Sequence, residues 1–456
     1  MSRLQMSELA AMVDGKLHGD DVVFDGVSTD SRTLQQGELF VALHGPNFDG
    51  HNYLEVARAR GAAGALVARP QPAAMPTVEV ADTLLGLGKL GQQWRLRCPC
   101  KVLAITGSNG KTTLKEMSAA ILAQSGSVLA TRGNLNNDIG VPLTLCRLRD
   151  EDFAVIELGA NHPGEIDYLT RLAAPHVAVL NNAGRAHLEG FGSVEGVARA
   201  KAEIVNGLDG DGVFVFNADD TYAGLWRELG ADYQQRTFGV QQVADVSSPP
   251  DAYEIVWQGA SFTARFAVHT DRGDATVSLR LAGEHNRMNA LAAIAATQVL
   301  GADLDDAVTA LSSLEPVAGR LCPFAGVNGS RLIDDSYNAN PDSVIAALRV
   351  LSSAPGRRTL VLGDLAELGD DAAQMHRQLG ELATQSGIDR LLTAGTLSAK
   401  AAQAFAGESR HFDGRRELAD FLAHDLSAED SVLVKGSRSA RMDEVVGLLK
   451  AEGAAC

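Results

Sequence analysis

An apolar strand, a loop with two glycines and the start of a helix follow one another in Lys101-Val102-Leu103-Ala104-Ile105-Thr106-Gly107-Ser108-Asn109-Gly110-Lys111-Thr112-Thr113. This pattern predicts a polyphosphate site, because glycines let successive backbone N–H groups face one anion and the helix N-terminus adds positive potential. Lys111 would reach the outer phosphates, and the Thr112 hydroxyl would face a magnesium ion. Ile105 stands where the usual G-x-x-x-x-G-K-[ST] pattern has its first glycine, so G-x-x-G-K-T-T is a tighter variant. The alternative to a phosphate site is an ordinary glycine-rich turn between a strand and a helix, with a lysine on the surface.

The composition is that of an ordinary soluble globular protein. The chain has 456 residues, of which 45% are hydrophobic and 21% charged, and its length suggests about three domains. Its net charge of −17 disfavours a nucleic-acid partner, because a polyphosphate backbone would be repelled. Residues 1–20 carry scattered charges and no apolar signal-peptide core, and no apolar run is long enough to cross a membrane. We therefore expect a cytoplasmic protein without membrane insertion.

The five cysteines are Cys98, Cys100, Cys146, Cys322 and Cys456. Their number is odd, and their spacing fits neither a disulfide framework nor a zinc site. Unpaired thiols in a reducing compartment are the expectation.

Three segments predict an α/β protein of three domains. Residues 1–98 form a small α/β domain that ends with a helix over residues 83–97. Residues 99–316 alternate apolar strands at 153–156, 177–180 and 213–216 with helices, as in a parallel sheet, and become β-rich from 237 to 281 before a helix over 285–300. Residues 317–456 predict a Rossmann-like, doubly wound domain without a phosphate loop, with strands at 331–333, 359–362 and 431–434 and helices over 341–352 and 371–386.

Candidate functional side chains follow the strands of the central segment, where ligands of open parallel sheets bind. Glu157 ends one strand run and could face the phosphate loop to hold magnesium. His187 comes just past the next strand, although a lone histidine there is more often packed, and magnesium prefers oxygen ligands. Lys201 lies on a helix with Glu203, and its residue type alone predicts only a solvated charge.

The phosphate loop resembles the ATP signature of the Mur ligases, the cytoplasmic amide-bond-forming enzymes of peptidoglycan synthesis. Other motifs along the whole chain carry the same resemblance, in chain order: STDSR at 28–32, NFDGH at 47–51, GNLNNDIGVPL at 133–143, NAGRAHLEGFGS at 182–193, GEHNRMNA at 283–290, DDSYNANP at 334–341, GDLAELG at 363–369 and VKGSR at 434–438. Departures such as Ala183 and Leu365, where isoleucine and methionine are expected, are apolar exchanges that threaten no role.

The resemblance implies a role for each motif, with ATP and Mg²⁺ as cofactors. The residues implied in ATP binding are Gly107, Ser108, Asn109, Gly110, Lys111, Thr112, Thr113, Asn286, Arg320 and Asp335, with Asn289 also facing the nucleotide. The implied metal contacts are Thr112, Glu157, His187 and Lys201, the last matching a lysine that in this family can be carbamylated; whether Lys201 carries a carbamate stays open. Catalysis would rest on Lys111, His187, Lys201 and Arg320. The N-terminal residues Ser28, Ser31, Arg32, Asn47, Asp49 and His51 would bind a UDP-sugar, and Lys435, Ser437 and Arg438 an incoming dipeptide.

The motif set further implies the addition of D-alanyl-D-alanine to UDP-N-acetylmuramoyl-tripeptide through an acyl phosphate. The alternatives are a related Mur-type ligase that adds a single amino acid, a folate polyglutamylating ligase, and a P-loop regulatory ATPase. The UDP-type domain argues against the folate enzyme, and the motifs at 334–341 and 363–369 argue against the single-residue ligases. Whether the third peptide residue is diaminopimelate or lysine stays open, as does the base for the attacking amine. A monomer is expected.

Overall fold

The computed structural model describes residues 3–69, 75–186 and 188–454. Each predicted segment contains a β-sheet covered by helices, so the expected α/β class is confirmed. The strands of the three main sheets lie within residues 16–79, 101–279 and 322–435. The domain boundaries at 98/99 and 316/317 stay predictions.

The N-terminal segment is built from short elements. Its strands are β1 (Leu4–Gln5), β2 (Lys16–His18), β3 (Val23–Phe24), β4 (Gly26–Ser28), β5 (Glu38–Val41), β6 (His44–Gly45), β7 (Phe48–Asp49), β8 (Gly64–Val67) and β9 (Thr77–Glu79). Its helices are α1 (Met6–Met12), α2 (Leu54–Ala59) and α3 (Thr83–Arg97). The main sheet has the order β2-β9-β8-β5-β4 and is parallel except for β2.

Helix α3 confirms the helix predicted over residues 83–97 and leads into the central segment. Asp82 caps its N-terminus, since the carboxylate accepts the backbone N–H groups of Leu84 and Leu85 at 2.7 and 3.0 Å. Near the other end, the buried Arg95 guanidinium donates to the carbonyl oxygen of Ala173 at 3.0 Å. The helix is therefore tied to the central segment.

The central segment holds the largest sheet. Its strands are β10 (Lys101–Thr106), β11 (Val128–Ala130), β12 (Phe153–Glu157), β13 (Val177–Leu180), β14 (Val213–Asn217), β15 (Gln234–Gly239), β16 (Val246–Ser247), β17 (Tyr253–Gln258), β18 (Ser261–Thr270) and β19 (Gly273–Leu279). Its helices are α4 (Lys111–Leu122), α5 (Gly140–Leu145), α6 (Glu165–Ala173), α7 (Leu188–Phe191), α8 (Val194–Ala202), α9 (Ala223–Leu229), α10 (Glu284–Val299) and α11 (Leu304–Ser313). The predicted β-rich stretch is confirmed, and β16–β19 extend the same sheet rather than forming another.

Strand β10 lies where the winding of this sheet changes direction. The order β11-β12-β10-β13-β14-β15 is parallel throughout, so β10 sits between β12 and β13. Helix α4, which follows β10, packs on one face of the sheet with α10, whereas α6, which follows β12, packs on the other face. Helices that leave on opposite faces open a crevice at the carboxyl ends of the strands, and the phosphate loop lies in it.

The C-terminal segment forms a second doubly wound unit, as predicted. Its strands are β20 (Cys322–Ala325), β21 (Arg331–Asp335), β22 (Arg357–Gly363), β23 (Arg390–Ala394), β24 (Glu408–Phe412) and β25 (Asp430–Lys435). Its helices are α12 (Pro341–Ser352), α13 (Ala372–Gln385), α14 (Ala399–Ala404), α15 (Arg415–Asp425) and α16 (Asp443–Leu449). The order is β20-β21-β25-β22-β23-β24, with only the β20–β21 pair antiparallel, so the loops after β21, β22 and β25 emerge side by side.

The cysteines only partly match the expectation of unpaired thiols. Cys98, Cys100 and Cys146 are free, and burial raises the pKa of each thiol. Cys322 is disulfide-bonded, so the expectation is wrong for this residue. A disulfide requires two Cα atoms close in space, which spacing along the chain does not report.

Candidate active site

The phosphate loop connects β10 to α4 with the conformation that its glycines require. Gly110 has a φ of +80°, and a Cβ atom there would lie 2.4 Å from the side-chain oxygen of Asn289. Asn182, just past β13, accepts the backbone N–H of Asn109 at 2.8 Å through its side chain and that of Ser108 at 3.0 Å through its carbonyl. The loop is therefore held in shape from the neighbouring strand.

Lys111 begins α4 and bends back over the loop. Its Nζ donates to the carbonyl oxygen of Gly107 at 2.7 Å. Desolvation lowers the pKa of Lys111, Arg320 lowers it further, and Glu157 opposes both. A cation held over the loop and poorly solvated is well placed to bind the outer phosphates of a nucleotide.

Glu157 ends β12 with a side chain that is 2% exposed. Its Oε1 accepts from the Asn136 side-chain amide at 2.8 Å, whereas Oε2 is buried without a hydrogen-bond partner among the described residues. A buried carboxylate oxygen without a hydrogen-bond donor is suited to bind a hard cation such as Mg²⁺. No group of three or more His, Cys, Asp or Glu side chains that could hold a metal lies in the described ranges. Glu157 with the Thr112 hydroxyl therefore fits Mg²⁺, which commonly takes one or two protein oxygens and substrate phosphates.

Lys201 is not the solvated charge that its residue type alone predicts. It lies on α8 with 1% exposure, donates to the carbonyl oxygen of Ala160 at 3.2 Å, and has Nζ 5.4 Å from the centre of the Phe191 ring. Burial lowers the pKa of Lys201 to about 7, and the charge of Lys111 adds to this effect. A lowered pKa increases the share of neutral amine at neutral pH, and only a neutral amine reacts with CO₂ to form a carbamate. His187, which was also predicted to contact a metal, lies outside the described residues.

Arg320 reaches the phosphate loop from the start of the C-terminal segment. Its guanidinium donates to the hydroxyl of Thr112 at 3.1 Å and lies 4.5 Å from the centre of the Tyr337 ring. Asp335, at the end of β21, accepts the backbone N–H of Leu321 at 3.2 Å, which fixes the residue after Arg320. The two residues that the resemblance placed near ATP therefore lie together beside the loop.

Two contacts that the sequence did not predict hold the C-terminal segment against this loop. Asn340 caps α12, and its side-chain amide also donates to Oδ1 of Asn109 at 2.7 Å. Asp342, two residues further, accepts three hydrogen bonds from Arg185: from the backbone N–H at 2.8 Å, Nε at 3.0 Å and Nη2 at 2.6 Å. Both contacts join residues far apart in sequence, so no local pattern could have indicated them.

The predicted dipeptide residues follow β25 at the same edge. The buried Lys435 is paired with Asp335 at 2.5 Å, and desolvation raises the pKa of that carboxyl although Lys435 opposes the shift. The Ser437 hydroxyl donates to the carbonyl oxygen of Asp364 at 2.7 Å. Arg438 is 67% exposed and lies 5.7 Å from the Tyr337 ring centre. Of these three residues, Arg438 presents an exposed cation.

The asparagines predicted to face the nucleotide lie at the start of α10. The side chain of Asn289 accepts a hydrogen bond from Asn181 at 2.7 Å and donates one to Asn286 at 3.2 Å. The side-chain amide of Asn286 in turn donates to the carbonyl oxygen of Ala282 at 2.8 Å. His285 lies beside them, and desolvation, with the charges of Lys435 and Arg349, lowers its pKa to about 4. Its imidazole is therefore neutral at physiological pH.

These residues surround one cleft of about 840 Å³. The central segment contributes the phosphate loop, Glu157, Arg185 and the asparagines of α10, and the C-terminal segment contributes Arg320, Asp335, Tyr337, Lys435, Ser437 and Arg438. Lys201 is buried behind this lining. The cleft is thus built jointly by two segments and brings together most of the side chains assigned to ATP and dipeptide.

The predicted UDP-sugar residues lie in the N-terminal segment and, within the described ranges, do not line this cleft. Arg32 is exposed and paired with Asp30 at 2.8 Å, and the neighbouring Ser28 hydroxyl hydrogen-bonds at the same turn. Ser31 is buried and Asn47 is exposed. His51 contacts Asp49 at 2.7 Å through Nδ1 and accepts the backbone N–H of Ala68 at 2.9 Å through Nε2. Asp49 and His51 therefore also hold the loop between β7 and β8.

Family models match three parts of the chain. The Mur ligase middle domain matches residues 105–297, the Mur ligase glutamate ligase domain residues 319–438, and the Mur ligase family catalytic domain residues 23–86. The UDP-N-acetylmuramoyl-tripeptide–D-alanyl-D-alanine ligase of Escherichia coli (strain K12) is 44% identical over 456 residues, which cover 99% of this chain and 100% of that relative. The chain belongs to the Mur ligase family.

Solved structures of MurF ligases are similar to this chain along nearly its whole length. A crystal structure of MurF from Acinetobacter baumannii has a TM-score of 0.91 and 37% identity, covering 98% of this chain and 99% of that one. MurF ligase from Thermotoga maritima in complex with ADP has a TM-score of 0.82 and 29% identity, covering 93% and 96%. No helix in the described ranges of this Mur ligase combines the length and apolarity needed to cross a bilayer.

Proposed function

We propose that this Mur ligase uses ATP to join D-alanyl-D-alanine to UDP-N-acetylmuramoyl-tripeptide, giving the pentapeptide precursor of peptidoglycan. The observation that carries the proposal is the end-to-end likeness, at 44% identity, to an enzyme named for that reaction. The cleft supports it independently, because it combines a phosphate loop with cations from a second segment. An ADP-forming ligase needs both features, because the ATP phosphates and the substrate carboxylate are anions that must be brought together before the amine can react.

The reaction follows from the chemistry of amide bonds. A carboxylate oxygen of the tripeptide attacks the γ-phosphorus of ATP, the bond to the bridging oxygen breaks, and ADP leaves. The amine of the dipeptide then attacks the acyl phosphate carbon, loses a proton, and expels inorganic phosphate as the amide forms. Closure of the cleft would keep water from the acyl phosphate.

Charge neutralisation is the main task of the protein groups. Lys111 lies over the phosphate loop at the carbonyl oxygen of Gly107, and Arg320 donates to the Thr112 hydroxyl, so both cations can bind the transferring phosphoryl group while the substrate carboxylate approaches. Mg²⁺, when bound at Thr112 and Glu157, would screen the same repulsion. Asn286 and Asn289 form a fixed amide surface suited to the nucleotide base.

Lys201 would contribute as a carbamate. An ammonium buried to this degree repels a nearby metal, whereas a carbamate offers two anionic oxygens. His187 would add a further metal contact, as the family resemblance implies. The UDP-sugar would bind at Ser28, Ser31, Arg32, Asn47, Asp49 and His51, and the dipeptide carboxylate at Arg438 beside Lys435 and Ser437.

Product analysis tests the proposal. Purified protein with ATP and Mg²⁺ should release phosphate only when both a UDP-muramoyl tripeptide and D-alanyl-D-alanine are present, and mass spectrometry should find the pentapeptide. A panel with diaminopimelate or lysine as the third residue would identify the substrate. Product with a single amino acid would instead support a different Mur-type ligase, and hydrolysis without an acceptor would support a regulatory ATPase.

The cellular setting is proposed on the same grounds. A UDP-linked precursor and ATP are cytoplasmic metabolites, so we propose a cytoplasmic enzyme with no nucleic-acid partner. We also propose a monomer, because the cleft is assembled from segments of one chain. Light scattering during size-exclusion chromatography would test this, and a stable dimer mass would contradict it.

A further inference from the structure

Tyr337 lies in the loop after β21, inside the DDSYNANP motif, and the reaction described above gives it no role. Its ring is flanked by two arginines from distant parts of the chain. The Arg320 guanidinium carbon lies 4.5 Å from the ring centre and that of Arg438 5.7 Å. Guanidinium groups within about 6 Å of an aromatic face are attracted by its quadrupole.

The two arginines face different parts of the cleft. Arg320 donates to the Thr112 hydroxyl of the phosphate loop at 3.1 Å, so it belongs to the phosphoryl-transfer end. Arg438 is the exposed cation after β25, where the dipeptide carboxylate would bind. The Oδ2 atom of Asp443 lies 3.7 Å from the Nη1 atom of Arg438, which is too long for a strong ion pair. The ring of Tyr337 is therefore a contact that holds the Arg438 side chain from within the cleft.

The backbone around Tyr337 is itself fixed. Its N–H donates to the carbonyl oxygen of Gly319 at 3.1 Å, which holds the residue directly before Arg320. Gly319 has a φ of +75°, and a Cβ there would lie 3.0 Å from the Cβ of Tyr337. The ring and the segment that carries Arg320 are thus held in one arrangement.

We propose that Tyr337 is a positioning residue that aligns Arg320 and Arg438 on one ring, and so couples dipeptide binding to phosphoryl transfer. This inference rests on the proposed function, because it assigns the two arginines to the two halves of the ligation. Each contact with the ring is a modest interaction, and loss of one would change the corresponding kinetic constant by about fivefold.

Steady-state kinetics of four variants test the proposal: Tyr337→Leu, Tyr337→Phe, Arg438→Ala and the double variant Tyr337→Leu/Arg438→Ala. Tyr337→Leu should raise the KM for D-alanyl-D-alanine by about fivefold and lower kcat by a similar factor, while Tyr337→Phe, which keeps the ring, should stay within about twofold of the wild type. In the double variant the KM should equal that of Arg438→Ala alone, because the ring acts on the dipeptide only through Arg438.

Phe421→Leu is the matched control, because that ring contacts Arg410 at 4.8 Å in the same segment but outside the cleft. It should leave both constants unchanged. If Tyr337→Leu does not fold, Tyr337→Met provides the apolar variant of similar reach. The inference would be overturned if the KM of the double variant rose by the product of the two single-variant factors. It would also be overturned if Tyr337→Phe changed KM and kcat as much as Tyr337→Leu does. Absence of ligation by the wild type would instead refute the proposed function.

Discussion

Neutralising Asp342 should weaken the docking of the C-terminal segment against the phosphate loop. Asp342 accepts three hydrogen bonds from Arg185, at 2.8, 3.0 and 2.6 Å, and the pair joins the start of α12 to the loop after β13. Asp342→Asn keeps the shape of the side chain and removes its charge. The docked arrangement that brings Arg320 to Thr112 should therefore become less populated.

The magnitude follows from the exposure of the pair. A hydrogen bond to a charged group contributes about 1.5–3 kcal/mol when buried, but exposed ion pairs contribute only about 0–1 kcal/mol. The side chains of Arg185 and Asp342 are 36% and 32% exposed, so water screens much of the interaction. We take about 1.4 kcal/mol for the loss, which shifts the docking equilibrium about tenfold.

Two measurements check this prediction. In ligation assays kcat/KM should fall by up to about tenfold, and small-angle scattering should give a larger radius of gyration without ligands that returns to the wild-type value with an ATP analogue and UDP-tripeptide. Arg185→Met should behave alike, and the double variant should be no worse than either single one. Asp305→Asn is the control, because it removes an acidic group from the first turn of α11 without a contact between segments. Unchanged scattering together with unchanged kcat/KM in Asp342→Asn would refute the reasoning.

Local patterns predicted the elements of this fold well. Apolar runs such as 177–180 became buried parallel strands, and the helices over 83–97 and 341–352 have the predicted bounds, because caps at Asp82 and Asn340 mark where each begins. The phosphate loop was equally local, since its glycines, lysine and threonines are consecutive. The order of strands in each sheet could not be predicted, because it depends on which faces the helices cover.

The environment of the site residues was beyond the sequence. Lys201 has an unremarkable helical neighbourhood, and only the fold reveals that it is buried beside Phe191. Lys435 was expected to face a dipeptide, and in the fold it is buried and paired with Asp335. Arg438, by contrast, is exposed. Asn182 could have been found from its position after a strand, by the same argument that selected Glu157. Contacts between segments, such as that of Arg185 with Asp342, leave no trace in either local sequence.

Three further predictions concern single ionisable side chains in or behind the cleft. Lys111→Ala should lower the ligation rate at least about 100-fold with an unchanged melting temperature, because the side chain binds phosphate and does not pack in a core; near-normal turnover would contradict the phosphate role. Lys201→Ala should lose activity and regain part of it with added bicarbonate or a short carboxylic acid, whereas full activity without rescue would exclude a carbamate. His285 should make stability depend on pH. Desolvation, helped by the charges of Lys435 and Arg349, lowers the pKa of its folded-state imidazole from 6.5 to about 4. Between these values the unfolded chain binds a proton that the folded protein does not, so the free energy of unfolding should fall as the pH is lowered through this window. Urea unfolding of the wild type and His285→Asn at pH 7 and pH 4.5 measures the effect, and the variant should lose less stability over that interval. Equal losses in the two proteins would mean that the imidazole titrates normally, and that the cleft around it is open to water.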